Sequence, residues 1–431
     1  MKEDAVTEDV PGGGRPVAPG TSSLQSSLPP LSRASLSVTP FMVMEIMERA
    51  GVLEKEGRSV IRMEVGEPDF PTPPAIADAM RESLKPENFR YAHSLGDPVL
   101  RNALSRHYLK TYGVAVEPER FLITPGSSVG MTLLFGALLE PGDKVVLTDP
   151  CYSCYPNFLR FFGGVAARVK VSAADGFEID PVLLKKTIEE QGPVKAVMIN
   201  SPANPAGAVL GPGKLEKIAS LGTFVISDEI YHGLSYSDER DHTILEHTRN
   251  AVVVGGFSKA FAMTGWRVGY LVVPPEWVRT FQSLSQNFVI SVNASVQKAA
   301  AAALEKALPE ARKMRSVYDR RRTLLLRGLS ELGLGVPVEP AGAFYVLADA
   351  SRIDPDSRAL AFDLLEKAGV ATAPGLDFGP GAEGFLRFSY AVSEENIVEA
   401  LKRIKIYLEN RGLRPGARGN SLSAAAAPVR P

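Results

Sequence analysis

The chain has 431 residues, too many for one small core, and ordinary domain sizes point to one large domain plus a smaller one. With 45% hydrophobic and 23% charged residues it reads as a soluble globular protein, and 48 basic against 49 acidic residues leave no cationic excess to draw nucleic acid or anionic lipid. Two cysteines exclude a disulfide framework and no apolar run approaches the ~20 residues of a membrane span, so a cytoplasmic protein with a small-molecule partner is expected.

Residues 1–33 are rich in Pro, Gly and Ser with few large apolar groups, and are expected to form a disordered extension; 412–431 reads as a disordered tail. Met44, Met47, Ala50 and Leu53 recur at helical spacing, and 60–65 reads as a short strand. This segment, 34–65, is expected to join the smaller domain in space. The turn 66–74 is too proline-rich for helix or central strand. Within 66–290, apolar strand-like runs at 120–123, 144–147, 194–199, 223–226, 251–254 and 268–272 alternate with helical segments. Runs apolar on both faces signal a mainly parallel sheet covered by helices, an α/β domain. From 291 to 411 long helices at 294–308 and 310–332, strands near 343–347 and 385–389 and a closing helix at 394–410 predict a smaller α+β domain.

Candidate chemistry gathers on the stretch 254–270. Gly255, Gly256, Phe257, Ala260 and Phe261 surround Lys259 with groups that strip water from its amine. Desolvation lowers an amine's pKa and makes it a nucleophile toward aldehydes. Arg267 offers a planar fork of donors suited to a phosphate. Lys259 therefore either holds a phosphorylated aldehyde or snorkels from a strand edge, with Arg267 pairing an ordinary carboxylate.

Further candidates stand near strand ends, where ligands bind in open α/β sheets. Gly126, Ser127 and Ser128 form a turn at a helix start, a site for an anion or a plain cap. Asp228 follows a buried run and must be paired, with a protonated ring nitrogen or with a structural arginine. Tyr231 lies one helical turn on, toward the same ligand. Asn204 sits in a double-proline turn that fixes its amide, or is an ordinary turn residue; Tyr152 stacks on an aromatic ring or fills core. Arg387, flanked by apolar residues in a strand, needs an anion, either a substrate carboxylate or a buried structural acid.

Three motifs are set aside. Gly379-x-Gly381-x-x-Gly384 has dinucleotide-site spacing but precedes a strand instead of opening a helix. Glu229-x-x-His232 lacks the second copy that a carboxylate-bridged metal site requires, and Cys151-x-x-Cys154 lacks two further ligands, so no metal is expected.

Taken together, the segments around Val65-Gly-Glu-Pro-Asp, Tyr91-x4-Gly96, Asn200-Ser-Pro-Ala-Asn204, Ser227-Asp-Glu-Ile-Tyr231, Phe257-Ser-Lys-Ala-Phe, Gly342-Ala-Phe-Tyr and Arg387-Phe-Ser-Tyr resemble the class I/II aminotransferases, pyridoxal-phosphate enzymes of fold type I. They run in family order from about 35 to 410. The resemblance implies a seven-stranded, mainly parallel sheet in the large domain and a homodimer whose active sites lie at the subunit boundary. It also implies pyridoxal 5'-phosphate as cofactor and amino group transfer from an L-amino acid to a 2-oxo acid, in two half-reactions. It gives Lys259 the internal aldimine and the Cα proton, Asp228 the pyridine nitrogen, and Tyr231 and Asn204 the phenolic oxygen. Tyr152 stacks on the ring. Ser127, Ser128, Ser258 and Arg267, with Tyr91 from the other subunit, hold the phosphate. Arg387 grips the substrate carboxylate, and the backbone at Gly66 closes over it.

The chain departs from the family in two places. Gly255 and Gly256 stand where many relatives carry a serine, and Ser128 aligns with a lysine of aspartate-selective relatives. Phe41, Phe70, Phe344 and the Val289-Ile290 pair offer an apolar pocket, which favours a neutral aliphatic or aromatic substrate. A lyase or synthase acting on the same scaffold, a carbon–sulfur lyase for example, is the rival reading.

Overall fold

A computed structural model describes residues 29–237 and 239–413. The expected head and tail lie outside these residues except at their inner ends, where Arg33–Leu36 form one helical turn capped by Ser32. Twelve strands occur among the described residues: β1 Ile61–Arg62, β2 Phe121–Thr124, β3 Lys144–Asp149, β4 Val165–Lys170, β5 Ala196–Asn200, β6 Val225–Asp228, β7 Ala251–Gly256, β8 Gly269–Val272, β9 Tyr345–Asp349, β10 Val370–Ala371, β11 Ala373–Pro374 and β12 Phe385–Ser389.

Seven of these form the main sheet, in the order β2-β8-β7-β6-β5-β3-β4. All neighbours are parallel except those of β8, which runs antiparallel to both β2 and β7. Strands β2, β6 and β7 are buried along both faces, apart from the last residue of β7. Alternate residues divide between two cores: Leu122, Met198, Ile226 and Val254 pack on one side, Ile123, Val197, Val225 and Val253 on the other. Helices on each face cover those side chains, which is why the runs carry no polar alternation.

The expected strand 60–65 shortens to β1, which pairs in parallel with β10 more than three hundred residues later. The helix Met42–Lys55 packs against Ser357–Ala368 and β11, so the N-terminal segment sits with the C-terminal part of the chain. Its buried face is Val43, Ile46, Ala50 and Leu53, one step off the expected stripe, because Met44 turns outward. Antiparallel β11, β12 and β9 make a second, smaller sheet. Ala294–Lys306 and Leu308–Glu331 are the expected long helices, separated at Ala307 where Pro309 opens the second.

Candidate active site

The C-terminal ends of the parallel strands converge on one edge of the main sheet. Asn200 and Asp228 end β5 and β6 in direct register, β2 ends at Thr124 just before Gly126, and β7 ends three residues before Lys259. Because β8 runs the opposite way, its first residue lies at this same edge, and Arg267, two residues before it, is delivered there too. A cavity of about 340 Å³ opens at this point, walled by Lys259, Asp228, Tyr231, Asn204, Tyr152 and Arg387, with Ser127, Ser128, Ser258, Arg267 and Gly66 completing it.

At one end the helix Ser127–Leu138 presents its free N-terminal amides behind Gly126, whose φ of +80° is reserved for glycine. A Cβ on Gly126 would lie 2.4 Å from Arg267 Nη2, and one on Gly269 2.7 Å from the Ser127 amide nitrogen, so helix start and guanidinium are packed against each other at this end of the cavity, which Ser127, Ser128 and Arg267 line. Arg267 has no ion-pair partner among the described residues; its Nη1 donates to the Thr264 carbonyl at 3.0 Å. That removes the ordinary-carboxylate alternative.

Lys259 donates from Nζ to the Gly66 carbonyl at 2.6 Å. Burial pulls its pKa down to about 8; Glu67 opposes this, and Arg387 and Arg267 reinforce it. The loop that carries it is pinned to the 66–74 turn: Thr72 donates to the Ala262 carbonyl at 2.7 Å, Trp266 Nε1 donates to Thr72 at 2.9 Å, and Thr264 donates to Glu67. Amine and Gly66 are thereby held in one rigid piece.

Asp228 is 2% exposed, and burial pushes its carboxyl up to about 6. No cation pairs with it among the described residues; Tyr155 donates to Oδ2 at 2.6 Å and the Ile230 amide to Oδ1 at 3.2 Å, and both hold the charge against burial. A structural arginine is therefore not its partner. Tyr155 escaped the sequence reading, although it lies one helical turn beyond Tyr152 and so on the same face.

Arg387 is 2% exposed and also lacks an acid. Its Nη1 donates to Asn204 Oδ1 at 2.9 Å, Nη2 donates to the Glu64 carbonyl, and Nε is buried without a partner. The guanidinium lies over the rings of Tyr345 and Phe378, at 4.3 and 4.8 Å. Glu64 and Asp377 act on it only from beyond ion-pair distance, and a buried cation with no acid in contact is incomplete without an anion. Tyr231 meets the hydroxyl of Tyr345 at 2.7 Å. Tyr345 is the second residue that went unassigned in the sequence.

Tyr91, expected to serve the site of another subunit, is 82% exposed and does not line the cavity of its own chain. Other expectations about the cavity are corrected. Of the apolar pocket candidates only Phe41 lines it; Phe70 packs edge-on against Tyr318, Phe344 is fully buried, and Val289 and Ile290 lie elsewhere. Met44, Met47 and Met131 supply apolar wall instead. Gly255 and Gly256 do not line the cavity either, and a Cβ there would meet Tyr270 at 2.3 Å or Ile230 at 2.7 Å, so a serine at either position would need its neighbours to shift.

The motifs set aside have structural places. Gly381 donates its amide to Asp149 at 3.0 Å, His232 stands 3.6 Å from Glu229 and accepts or donates with Tyr112 at 2.8 Å, and both cysteines are free. No group of three or more metal-ligating side chains occurs among the described residues, and no described helix is long and apolar enough to cross a membrane.

Comparison with known proteins gives this geometry its family. The family model for class I and II aminotransferases matches residues 58–404. The chain is 40% identical over 383 residues to an aspartate/prephenate aminotransferase of Thermus thermophilus, covering 86% of this chain and 97% of that one. It is 37% identical over 381 residues to a valine–pyruvate aminotransferase of Mycobacterium tuberculosis, covering 87% and 97%. The solved aspartate aminotransferase from Thermus thermophilus with maleate superimposes with a TM-score of 0.83 at 38% identity, over 88% of this chain and 99% of that one. These relatives are named for amino transfer, which does not favour the lyase reading. With an unpaired carboxylate, a depressed lysine and two unpaired arginines around one cavity, and with matches along nearly the whole folded length, the chain belongs to the class I and II aminotransferases, pyridoxal-phosphate-dependent enzymes of fold type I.

Proposed function

We propose that this aminotransferase moves the amino group of a neutral aliphatic or aromatic L-amino acid to a 2-oxo acid, with Lys259 as the group that anchors the cofactor and carries the Cα proton. The residues present fit pyridoxal 5'-phosphate: the cavity end lined by Ser127, Ser128 and Arg267 at a helix start suits a phosphate, and Asp228, buried and lacking a cation, suits a protonated ring nitrogen. Bound there, the cofactor supplies an aldehyde and a ring that takes up the electron pair left when a Cα–H bond breaks.

The chain's own residues do the rest. Ser127, Ser128, Ser258 and Arg267 hold the phosphate, and Asp228, kept charged by Tyr155, holds the proton on the ring nitrogen. Tyr231 and Asn204 serve the phenolic oxygen, and Tyr152 covers the ring face. Arg387 binds the substrate's α-carboxylate, which aims the Cα proton at Lys259. An amine near pH 8 is free often enough at neutral pH to take that proton and acidic enough, once charged, to return it.

The single observation that carries this reading is Lys259 Nζ in a cavity between two unpaired guanidinium groups and an unpaired carboxylate. The substrate class rests on the cavity wall: Phe41, Val43, Met44, Met47 and Met131 are apolar, and its cations, Lys259, Arg267 and Arg387, already have tasks. Aspartate would need one more. The relatives, named for valine and pyruvate and for aspartate and prephenate, include both substrate types.

We also read the enzyme as a homodimer. Phe89, Tyr91 and Phe288 are exposed, and Tyr91 is free to reach a neighbouring chain's phosphate recess. The two-domain division follows the same reading, 66–290 binding the cofactor and 291–411 forming the smaller domain with 34–65. The free cysteines suit a reducing cytoplasm.

A donor screen of the holoenzyme with 2-oxoglutarate as acceptor tests the substrate class. Neutral aliphatic or aromatic donors are expected to exceed aspartate by about tenfold or more in kcat/KM. Aspartate as the best donor would contradict it.

A further inference from the structure

Tyr345 touches two proposed functional groups with different parts of its side chain. Its ring lies 4.3 Å beneath the Arg387 guanidinium, and its hydroxyl meets the Tyr231 hydroxyl at 2.7 Å. The two tyrosine rings stand edge to face, 5.7 Å apart at 80°, so neither hydroxyl can swing away without moving a ring. The hydroxyl also fills the space beside Gly66: a Cβ there would lie 1.9 Å from it. Gly66 in turn accepts the Lys259 hydrogen bond.

Resting on the assignments of Tyr231 and Arg387 made above, we propose that Tyr345 is a positioning residue for both. Its ring face supports the carboxylate-binding guanidinium, and its hydroxyl donates to the Tyr231 oxygen, so that the Tyr231 proton is left to point at the cofactor's phenolic oxygen. A cation over the ring draws electron density from the phenol and makes its O–H the better donor of the pair. Gly66 is glycine because the hydroxyl occupies the place of its side chain.

The two contacts are separable by substitution. Tyr345→Phe keeps the ring and removes the hydroxyl, whereas Tyr345→Leu removes both. Two affinities are measured on the full chain: that of the apoprotein for pyridoxal 5'-phosphate, by quenching of protein fluorescence, and that of the holoenzyme for 3-phenylpropionate, a carboxylate with no amino group.

Tyr345→Phe is expected to weaken cofactor binding about fivefold, the worth of one hydrogen bond, and to leave 3-phenylpropionate binding unchanged. The same substitution in a Tyr231→Phe background is expected to cost nothing further. Tyr345→Leu is expected to weaken 3-phenylpropionate about tenfold as well. Gly66→Ala, whose methyl meets both the hydroxyl and the ring edge, displaces the whole side chain and is expected to weaken both ligands, as Tyr345→Leu does.

Tyr345→Phe binding the cofactor as tightly as wild type, or losing as much with Tyr231 absent as with it present, would overturn the coupling. A Tyr231→Phe protein with undiminished cofactor affinity, or an Arg387→Lys protein with undiminished 3-phenylpropionate affinity, would instead overturn the underlying assignments. The two failures are distinguishable.

Discussion

Burial holds the Lys259 amine at about 8 against an ordinary 10.5, and this has a consequence for stability. Below pH 8 both folded and unfolded apoprotein carry the proton, and the folded state bears the full cost of enclosing the charge. Between 8 and 10.5 the folded chain has released the proton and the unfolded chain has not, so stability climbs with pH by about 3 kcal/mol. Urea melts of apoprotein at the two ends of that window should show this rise in wild type relative to Lys259→Met, from which it should be absent; parallel pH dependences in the two proteins would show that the amine is not desolvated. The depressed amine was legible in the sequence, because Gly255 to Phe261 offer it no charge. Its partners were partly legible. Asp228 and Arg387 each demand a counterpart wherever they are buried, but whether that counterpart is a structural ion or a ligand depends on what lies across the cavity, and only the structure shows that neither has an ion-pair partner among the described residues. Tyr155 and Tyr345 carry no such demand, since a tyrosine amid apolar residues reads as core.

Secondary structure delivers these groups through strand ends and one helix start. The apolar runs of the main sheet could be read at their centres, since side chains buried on both faces leave a continuous signal, but their C-terminal ends lie one or two residues further on, since the ladder continues past the apolar sequence to Thr124, Asp149, Asn200 and Asp228. Pairing was not legible. Nothing in 268–272 says that β8 runs antiparallel, yet that reversal brings Arg267 to Gly126. The short β1 owes its existence to β10, far along the chain. Gly126 tests the helix-start recess. Replacing it by alanine imposes a side chain at φ +80° and drives a methyl into Arg267, so Gly126→Ala should lose about 1–2 kcal/mol of stability and weaken binding of the cofactor more than that of its unphosphorylated analogue, pyridoxal. Equal weakening of both would place the phosphate elsewhere.

Across the whole molecule, the sheet edge, the N-terminal helix and the small sheet enclose the cavity from three directions, while the end at the helix start stays open, with Ser128 and Arg267 exposed. The described chain does not close it with Tyr91. A sequence cannot say which of its residues serve another copy of itself, and the expectation that Tyr91 does so comes from the family resemblance alone. If two chains share each site, mixing unequal partners should rescue activity. Tyr91→Ala and Lys259→Ala proteins, each weak or inactive alone, should form hybrids with one site that pairs an intact Lys259 with an intact Tyr91 from the other chain. Unfolding and refolding them together should restore activity well above either parent; a mixture no better than its parents would mean that each chain completes its own site.

The central claim is that Lys259 is the residue that holds the cofactor, and it can be tested by fixing that bond chemically. Borohydride reduction of the holoenzyme, followed by proteolysis and mass spectrometry, should place a single phosphopyridoxyl group on Lys259, within the peptide that also carries Ser258. The label on any other lysine, or no label on a protein saturated with pyridoxal 5'-phosphate, would contradict the account.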